Sequence, residues 1–420
     1  YYEGKEYIFI SSEIKPILKF NSIIKFNNKQ IFNFFLKQKM DHEDQTFFYD
    51  IKSLPPCFFG KIATNYKINL FKYWDINNKK NYHLTDKDCI HKIEKLFSKS
   101  IKKHLLSDVE IGSFLSGGTD STAIASKISE NYGNLKTFTY DFLNSGELGE
   151  SKKSKIVSKA LKIKNYKAII KPIHIKDNMS KICYHLESPF TSIRTFGTFE
   201  LYKLAKKKGL KVIIEGHGGD EIFAGYMHNQ IPYEIDIYNE NKNYEKLRAL
   251  EKTLILKKNK FLRKFSNKML DSYFHSNVTK DLTPITNIKN FNLDFIEKNL
   301  QNLDDIDLDA NSFLKNSQLM DIRYISLPRT LKYADRLSMS QGVEARVPFL
   351  QTELAKFAYN LPHKHKFRSG ETRWAFKQYL KKTKVSNYLT KTKKIIADPQ
   401  IQWFKNELKD YILDTFNSNE

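Results

Sequence analysis

Two short strings in this chain hold residue types that could do chemistry together. The first is Ser116-Gly117-Gly118-Thr119-Asp120-Ser121, between an apolar run and a helical pattern. Adjacent glycines let a backbone turn sharply and aim its N–H groups at an anion. A following helix N-terminus adds its dipole, and the Ser116 and Ser121 hydroxyls add donors. Phosphate would repel Asp120 unless a cation lies between them, so Asp120 is expected to ligate Mg2+. The Gly-Lys-Ser/Thr ending of a Walker A loop is absent, so transfer of a γ-phosphoryl group is not implied. The second string, Glu215-Gly216-His217-Gly218-Gly219-Asp220-Glu221-Ile222-Phe223-Ala224-Gly225-Tyr226, also follows an apolar run. Two acidic residues directly after a Gly-Gly turn would set Asp220 facing the first loop, able to share the Mg2+.

The first string resembles the SGGxDS loop of the PP-loop ATP pyrophosphatases. That resemblance implies a grip on the pyrophosphate of ATP while the α-phosphate is attacked, and hence adenylation of a substrate. The second resembles the GxGxDExFxGY signature of the asparagine synthetases within that group. Carried over by position, the resemblance implies that Glu215 and Gly216 touch the nucleotide. It also implies that Leu115 and Tyr140 line the adenosine pocket. One departure stands at His217, where the synthetases of free asparagine usually carry Glu. A histidine there is either a base near neutral pH or a packed ring beside the nucleotide.

Two further segments extend the resemblance. Leu331 to Leu350 contains Glu344-Ala345-Arg346-Val347-Pro348-Phe349-Leu350, expected as a helix followed by a turn that ends on Pro348. By resemblance Glu344 is the acidic residue facing the acyl-adenylate, and Gln351 replaces the family's Asp. Lys391-Thr392-Lys393-Lys394-Ile395-Ile396-Ala397-Asp398-Pro399 is similar to the family's R-x-K-x-G-F-x-x-P, and the proline six residues on selects Lys393. A flexible ammonium there would neutralise charge on the departing pyrophosphate. The implied catalytic set is therefore Lys393, Glu344 and His217. Before all of these, Tyr1 to Asp75 is similar to the end of a class II glutaminase domain, whose cysteine nucleophile lies upstream of Tyr1 in the family. The resemblance implies aspartate as acceptor, ammonia drawn from glutamine, and ATP with Mg2+. A homodimer is one assembly it allows, and other carboxylate acceptors or a tRNA-modifying role on the same loop are the competing expectations.

The elements that must position these residues follow from periodicity. Strand signals run over Val109–Leu115, Lys136–Phe142, Tyr166–Ile173 and Lys211–Ile214. Helical signals run over Asp86–His104, Asp120–Glu130, Glu150–Leu161, Asn178–Leu186 and Phe196–Lys207. This alternation predicts an α/β fold with a doubly wound parallel sheet, with ligands beyond the carboxyl ends of its strands. Both Gly-Gly turns fall at that edge. From Tyr226 the chain reads as mainly helical, with a polar stretch near 229–310 that fits no period. The expected division is 1–76, read as short strands and turns, and 85–420, with the polar Asn77–Asn81 as a linker.

Composition sets the outer limits. The 420 residues, 40% hydrophobic, suffice for two or three domains, and none of the runs is apolar enough to span a membrane. Cys57, Cys89 and Cys183 stand far apart, which argues against a thiolate metal site and fits a reducing cytoplasm. The net charge of +23 invites nucleic acid, but the lysines are scattered in twos and threes. Nucleic acid is therefore not the expected partner.

Overall fold

The computed structural model describes residues 1–20, 25–37, 39–40, 44–76, 82–130, 132–144, 149–241, 292, 294–295, 312–368, 370–389 and 398–418. The chain divides into two compact units. One comprises Tyr1–Asn81, Tyr226–Arg329 and Tyr359–Phe367; the other comprises Tyr82–Gly225, Thr330–Ala358 and Arg368–Glu420.

The second unit is built on a parallel sheet. Helix α1 (Asp86–His104) opens it, and the sequence fixes both ends. Thr85 Oγ1 accepts from Asp88 N, Asp86 and Asp88 occupy the first turn, and Lys102, Lys103 and His104 the last. There follow β1 (Ile111–Phe114), α2 (Thr119–Ser129), β2 (Lys136–Phe142), α3 (Ser151–Leu161), β3 (Lys164–Ile170), α4 (Pro172–Leu186), α5 (Arg194–Lys207), β4 (Val212–Ile214) and α6 (Gly219–Phe223). Then come α7 (Leu327–Met339), β5 (Glu344–Arg346), α8 (Thr352–Tyr359) and α9 (Trp374–Leu380).

The strands lie in the order β3-β2-β1-β4-β5, all parallel. The order reverses between β1 and β4, so the crevice for ligands opens beyond the ends of those two strands. Parallel strands are covered on both faces, and β1, β2 and β4 are correspondingly largely buried; β4 is wholly apolar, whereas β2 alternates Phe138, Tyr140 and Phe142 with Thr137, Thr139 and Asp141. Phe138, Phe142, Ile170, Ile182, Phe196 and Tyr202 belong to one buried cluster that α4 and α5 close over β2 and β3.

The predicted elements match these bounds to within a few residues, except that α4 starts at Pro172, six residues early. The region of Glu344 differs in kind. It was expected as a turn and is instead the edge strand β5, joined to β4 by Glu344 N to Lys211 O (2.8 Å) and Glu215 N to Arg346 O (2.9 Å). Three residues are too few for a period to reveal.

In the first unit, Phe58–Ile62 and Ile68–Lys72 form an antiparallel hairpin, with Phe59 paired to Phe71. Residues 1–76 also hold two helices, Ile14–Phe20 and Asn28–Lys37, where short strands and turns were expected. Phe32, Asn33 and Phe34 are all buried, so that helix hides apolar bulk without a clean stripe. Helix Phe313–Arg323 is capped from a distance: Asp236 accepts from Ser312 Oγ (2.8 Å), Phe313 N (2.7 Å) and Leu314 N (3.1 Å). Most of the polar stretch near 229–310 lies outside the described residues.

Candidate active site

The loop after β1 folds on its own hydroxyls. Ser116 Oγ lies 2.9 Å from Ser121 Oγ and accepts from Gly118 N at 3.2 Å, while Ser121 Oγ accepts from Ser116 N at 3.2 Å. Gly117 takes φ +75°, where a Cβ would strike Lys153 Cβ at 2.6 Å, so only glycine fits. Helix α2 is N-capped by Gly118, which has no side chain to cap the N–H groups of its first turn. The buried hydroxyls of Thr119 and Thr122 lack a hydrogen-bond partner among the described residues. This is the local architecture of an anion seat.

The turn after β4 is packed directly against that loop. A Cβ on Gly216 would sit 3.2 Å from Ser121 N and 3.3 Å from Asp120 Cβ. One on Gly219 would sit 2.8 Å from Asp120 Cγ. Glycines at these two positions let the two motifs touch. The structure thus brings Ser116, Gly117, Gly118, Asp120, Ser121, Gly216 and Asp220 to one crevice at the switch point.

Asp120 and Asp220 converge on a single atom. Arg373 Nη1 lies 2.9 Å from Asp120 Oδ1, 2.7 Å from Asp120 Oδ2 and 2.7 Å from Asp220 Oδ1. Two carboxylates from different loops, aimed at one point that already holds a positive charge, are a donor set that suits Mg2+. No group of three His, Cys, Asp or Glu side chains that could hold a metal ion exists among the described residues, so phosphate oxygens and water would complete such a site.

Arg373 is the residue that sequence reasoning missed. It is 3% exposed, adopts the left-handed conformation at φ +55° and forms the N-cap of α9. Its helix is fixed by Phe376, which stacks on Phe223 (ring centroids 5.0 Å apart) and meets Phe97 and Phe349 edge-on. One turn on, Lys377 is fully buried, and desolvation holds its ammonium down at about 8, helped by the neighbouring Arg373. Arg373 just before an apolar helical run and Lys377 four residues on, within it, were the available signal.

His217 has a partner that its spacing did not reveal. His217 Nε2 lies 2.7 Å from Glu215 Oε2, and Tyr202 OH donates to the other oxygen, Oε1. Burial, then the Glu215 charge, pushes the Tyr202 hydroxyl well above its ordinary range, so it stays a donor. Glu215 is 1% exposed, and its side chain serves His217 and Tyr202.

The remaining expected residues are more dispersed. Leu115 is fully buried, and its N–H and C=O are both used inside the sheet, by Phe138 O and Thr139 Oγ1. Tyr140 lies on β2 with its ring against Gly197, where a Cβ would be only 2.5 Å away, and desolvation raises its hydroxyl far above the usual range. Lys393 lies outside the described residues. The residues just beyond it are tied to the start of α5: Arg194 Nε donates to Asp398 Oδ2 (2.9 Å) and Ile193 N to Gln400 Oε1 (2.9 Å).

Glu344 is not brought to the cluster. It pairs in register with Val212, at the amino end of β4, three residues before Glu215 and so about 10 Å from it along the strand. Its side chain is 57% exposed and bound by Arg346 Nε at 2.8 Å, a bond that lowers its carboxyl below the ordinary range. The same guanidinium donates to His104 O and Leu106 O, both at 2.8 Å, at the end of α1. Glu344 therefore stands on the opposite edge of the sheet from Asp120 and Asp220.

Residues 92–420 match the asparagine synthase family. The chain belongs to that family. It is similar to "Asparagine synthetase [glutamine-hydrolyzing] 1" of Bacillus subtilis (strain 168), with 24% identity over 98% of this chain and 66% of the relative. It is 27% identical to "Putative asparagine synthetase [glutamine-hydrolyzing] 2" of Methanocaldococcus jannaschii, over 61% of this chain and 50% of that one. "Amidase chyE" of Penicillium rubens is 22% identical over 96% of this chain and 65% of its own length. The chain thus spans between about half and two thirds of these relatives. Among solved structures, the NH3-dependent NAD synthetase from Campylobacter jejuni aligns with 34% of the chain at 20% identity and a TM-score of 0.23. No described helix is long and apolar enough to cross a membrane.

Proposed function

We propose that this chain uses ATP to activate a carboxylate as an acyl-adenylate, releasing pyrophosphate, and that ammonia then displaces AMP to give an amide. The observation that carries this reading is the meeting of two glycine-rich turns at the β1/β4 switch point, with Asp120 and Asp220 converging there. The N–H groups that open α2, with the Ser116 and Ser121 hydroxyls, bind the pyrophosphate portion of ATP. Asp120 and Asp220 hold Mg2+, which when bound offsets the charge on the phosphate oxygens. Tyr140 and the backbone of Glu215 and Gly216 border the adenosine.

Attack by the carboxylate oxygen on the α-phosphorus breaks the bond to pyrophosphate. Lys393 neutralises the departing charge. Ammonia then adds to the acyl carbon and loses a proton, and AMP leaves. His217, steadied through Nε2 by Glu215, presents Nδ1 as the acceptor for that proton. We assign aspartate as the carboxylate and glutamine as the source of ammonia. Residues 1–76 then form the end of the glutaminase domain and 85–420 the synthetase. Three cysteines that stand far apart in the sequence fit a reducing cytoplasm. A second reading keeps every step but changes the acceptor, and the histidine at position 217 favours it.

The test is formation of AMP and pyrophosphate from ATP, dependent on both ammonia and aspartate. Formation of ADP would overturn the reading altogether. AMP released with another carboxylate and not with aspartate would shift it to the second.

A further inference from the structure

The guanidinium of Arg373 stands where a metal ion between Asp120 and Asp220 would stand. Its Nη1 is within 2.7–2.9 Å of three carboxylate oxygens from both residues. Mg2+ would draw such oxygens to about 2.0–2.1 Å of itself, and two cations cannot occupy that point together. Several features keep the arginine there. Its side chain is 3% exposed, so the pair is poorly screened by solvent. Its backbone takes a left-handed conformation that is strained for a residue with a Cβ. Gly225 leaves the necessary room, because a Cβ there would lie 2.0 Å from Asp220 Oδ1 and 3.0 Å from Arg373 Cδ. Without a counter-charge, two buried carboxylates converging on one point would repel each other and separate.

We propose that Arg373 is a positioning residue: a resident counter-ion that holds Asp120 and Asp220 converged before nucleotide arrives and competes with the divalent cation for them. This rests on the reading of those two aspartates as metal ligands. The guanidinium gives way only when the metal arrives with the additional charge and oxygens of ATP. Metal binding is thereby coupled to nucleotide binding, and the chain alone takes up divalent cations poorly.

The test uses the whole chain, Mn2+ as the probe, and electron paramagnetic resonance or calorimetry to read binding with and without the non-adenylating analogue α,β-methylene-ATP. Wild type should bind Mn2+ weakly alone and much more tightly with the analogue. Arg373→Met should bind Mn2+ alone at least about tenfold more tightly than wild type, and Arg373→Lys, which keeps a charge, should stay near wild type. A merely structural loss would weaken binding instead. Arg373→Met that is folded and binds Mn2+ no more tightly overturns the proposal. Should that variant fail to fold, wild type decides: a dissociation constant for Mn2+ alone below about 10 µM overturns it, and a weaker one that tightens at least tenfold with the analogue supports it. If wild type binds Mn2+ with the analogue while Arg373→Met shows no gain, only the counter-ion role falls. Absence of Mn2+ binding under every condition overturns the metal-ligand reading and the counter-ion role together.

Discussion

The parallel sheet carries an arginine–carboxylate contact at each edge. At the carboxyl edge Arg373 meets Asp120 and Asp220 at 2.7–2.9 Å; at the amino edge Arg346 meets Glu344 at 2.8 Å. Distance does not separate them. Burial does: Arg373 is 3% exposed, whereas Glu344 is 57% exposed. The first pair holds its charges out of water, so loss of one partner strands another at a cost of about 3–5 kcal/mol. The second exchanges a solvated contact for a solvated ion, worth about 0–1 kcal/mol. An ion pair with two acids on one cation, enclosed and at the switch point, therefore signals function far more strongly than its mirror at the other edge.

The largest expected effect follows from the enclosed pair. Asp220→Asn and Asp120→Asn should each reduce ammonia-dependent AMP formation by at least about 100-fold, since on the proposed function each removes a charge that holds Mg2+ beside the α-phosphate under attack. A loss below fivefold in both would end the claim that this edge holds the chemistry. Next comes Gly225→Ala. Its added methyl would lie 2.0 Å from Asp220 Oδ1, against a carboxylate already held by Arg373. Overpacking of this kind costs about 1–3 kcal/mol, so chemical denaturation should show a loss in that range, with AMP formation falling too. Gly209→Ala, whose Cβ would meet nothing within 4 Å, is the control: its left-handed backbone (φ +81°) lowers stability without touching AMP formation.

How far the comparison was legible in the sequence differs between the two edges. Asp120 and Asp220 were found because each follows a Gly-Gly turn after an apolar run, Asp220 directly and Asp120 one residue on, and such turns collect at one edge of a parallel sheet. Glu344 was misplaced because a three-residue strand has no period, so nothing fixed which end of β5 the acid would occupy. Arg373 was overlooked for a different reason. It comes from a remote segment, among 70 lysines and arginines, and only the packing of Phe376 against Phe97 and Phe223 carries it to the acids. Long-range placement by an aromatic contact leaves little local trace, here only the four-residue spacing of Arg373 and Lys377. The partnership of Glu215 with His217 was close in sequence but depended on which way a buried carboxylate turned.

Lys377 sharpens the same contrast through pH. Desolvation lowers its ammonium from 10.5 to about 8 in the folded chain. Between those values the unfolded chain binds more protons than the folded one, so this group makes stability rise with pH across about 8 to 10.5. Below pH 8 its buried charge is a full destabilising contribution. Lys377→Met keeps the stem and removes the charge. It should raise the melting temperature at pH 7, and the gain should shrink steadily from pH 8 to pH 10.5. A gain independent of pH would mean that packing, not charge, sets the effect.

The smallest expected effect belongs to Glu344→Gln, and it separates the two edges most cleanly. Family resemblance implied that this acid faces the acyl-adenylate, which would require its removal to abolish synthesis. Its register with Val212 instead sets it beyond reach of the crevice, about 10 Å along the strand from Glu215. Arg346 keeps its bonds to His104 O and Leu106 O without Glu344, so the end of α1 stays tied. The amide should therefore leave AMP formation within about twofold of wild type and cost no more than about 0.5 kcal/mol, as exposed pairs do. Because salt screens an exposed pair, even that difference should fade in 1 M NaCl, where the Debye length is about 3 Å. A hundredfold loss of AMP formation with unchanged stability would instead mean that β5 leaves this register during turnover and delivers its acid to the opposite edge.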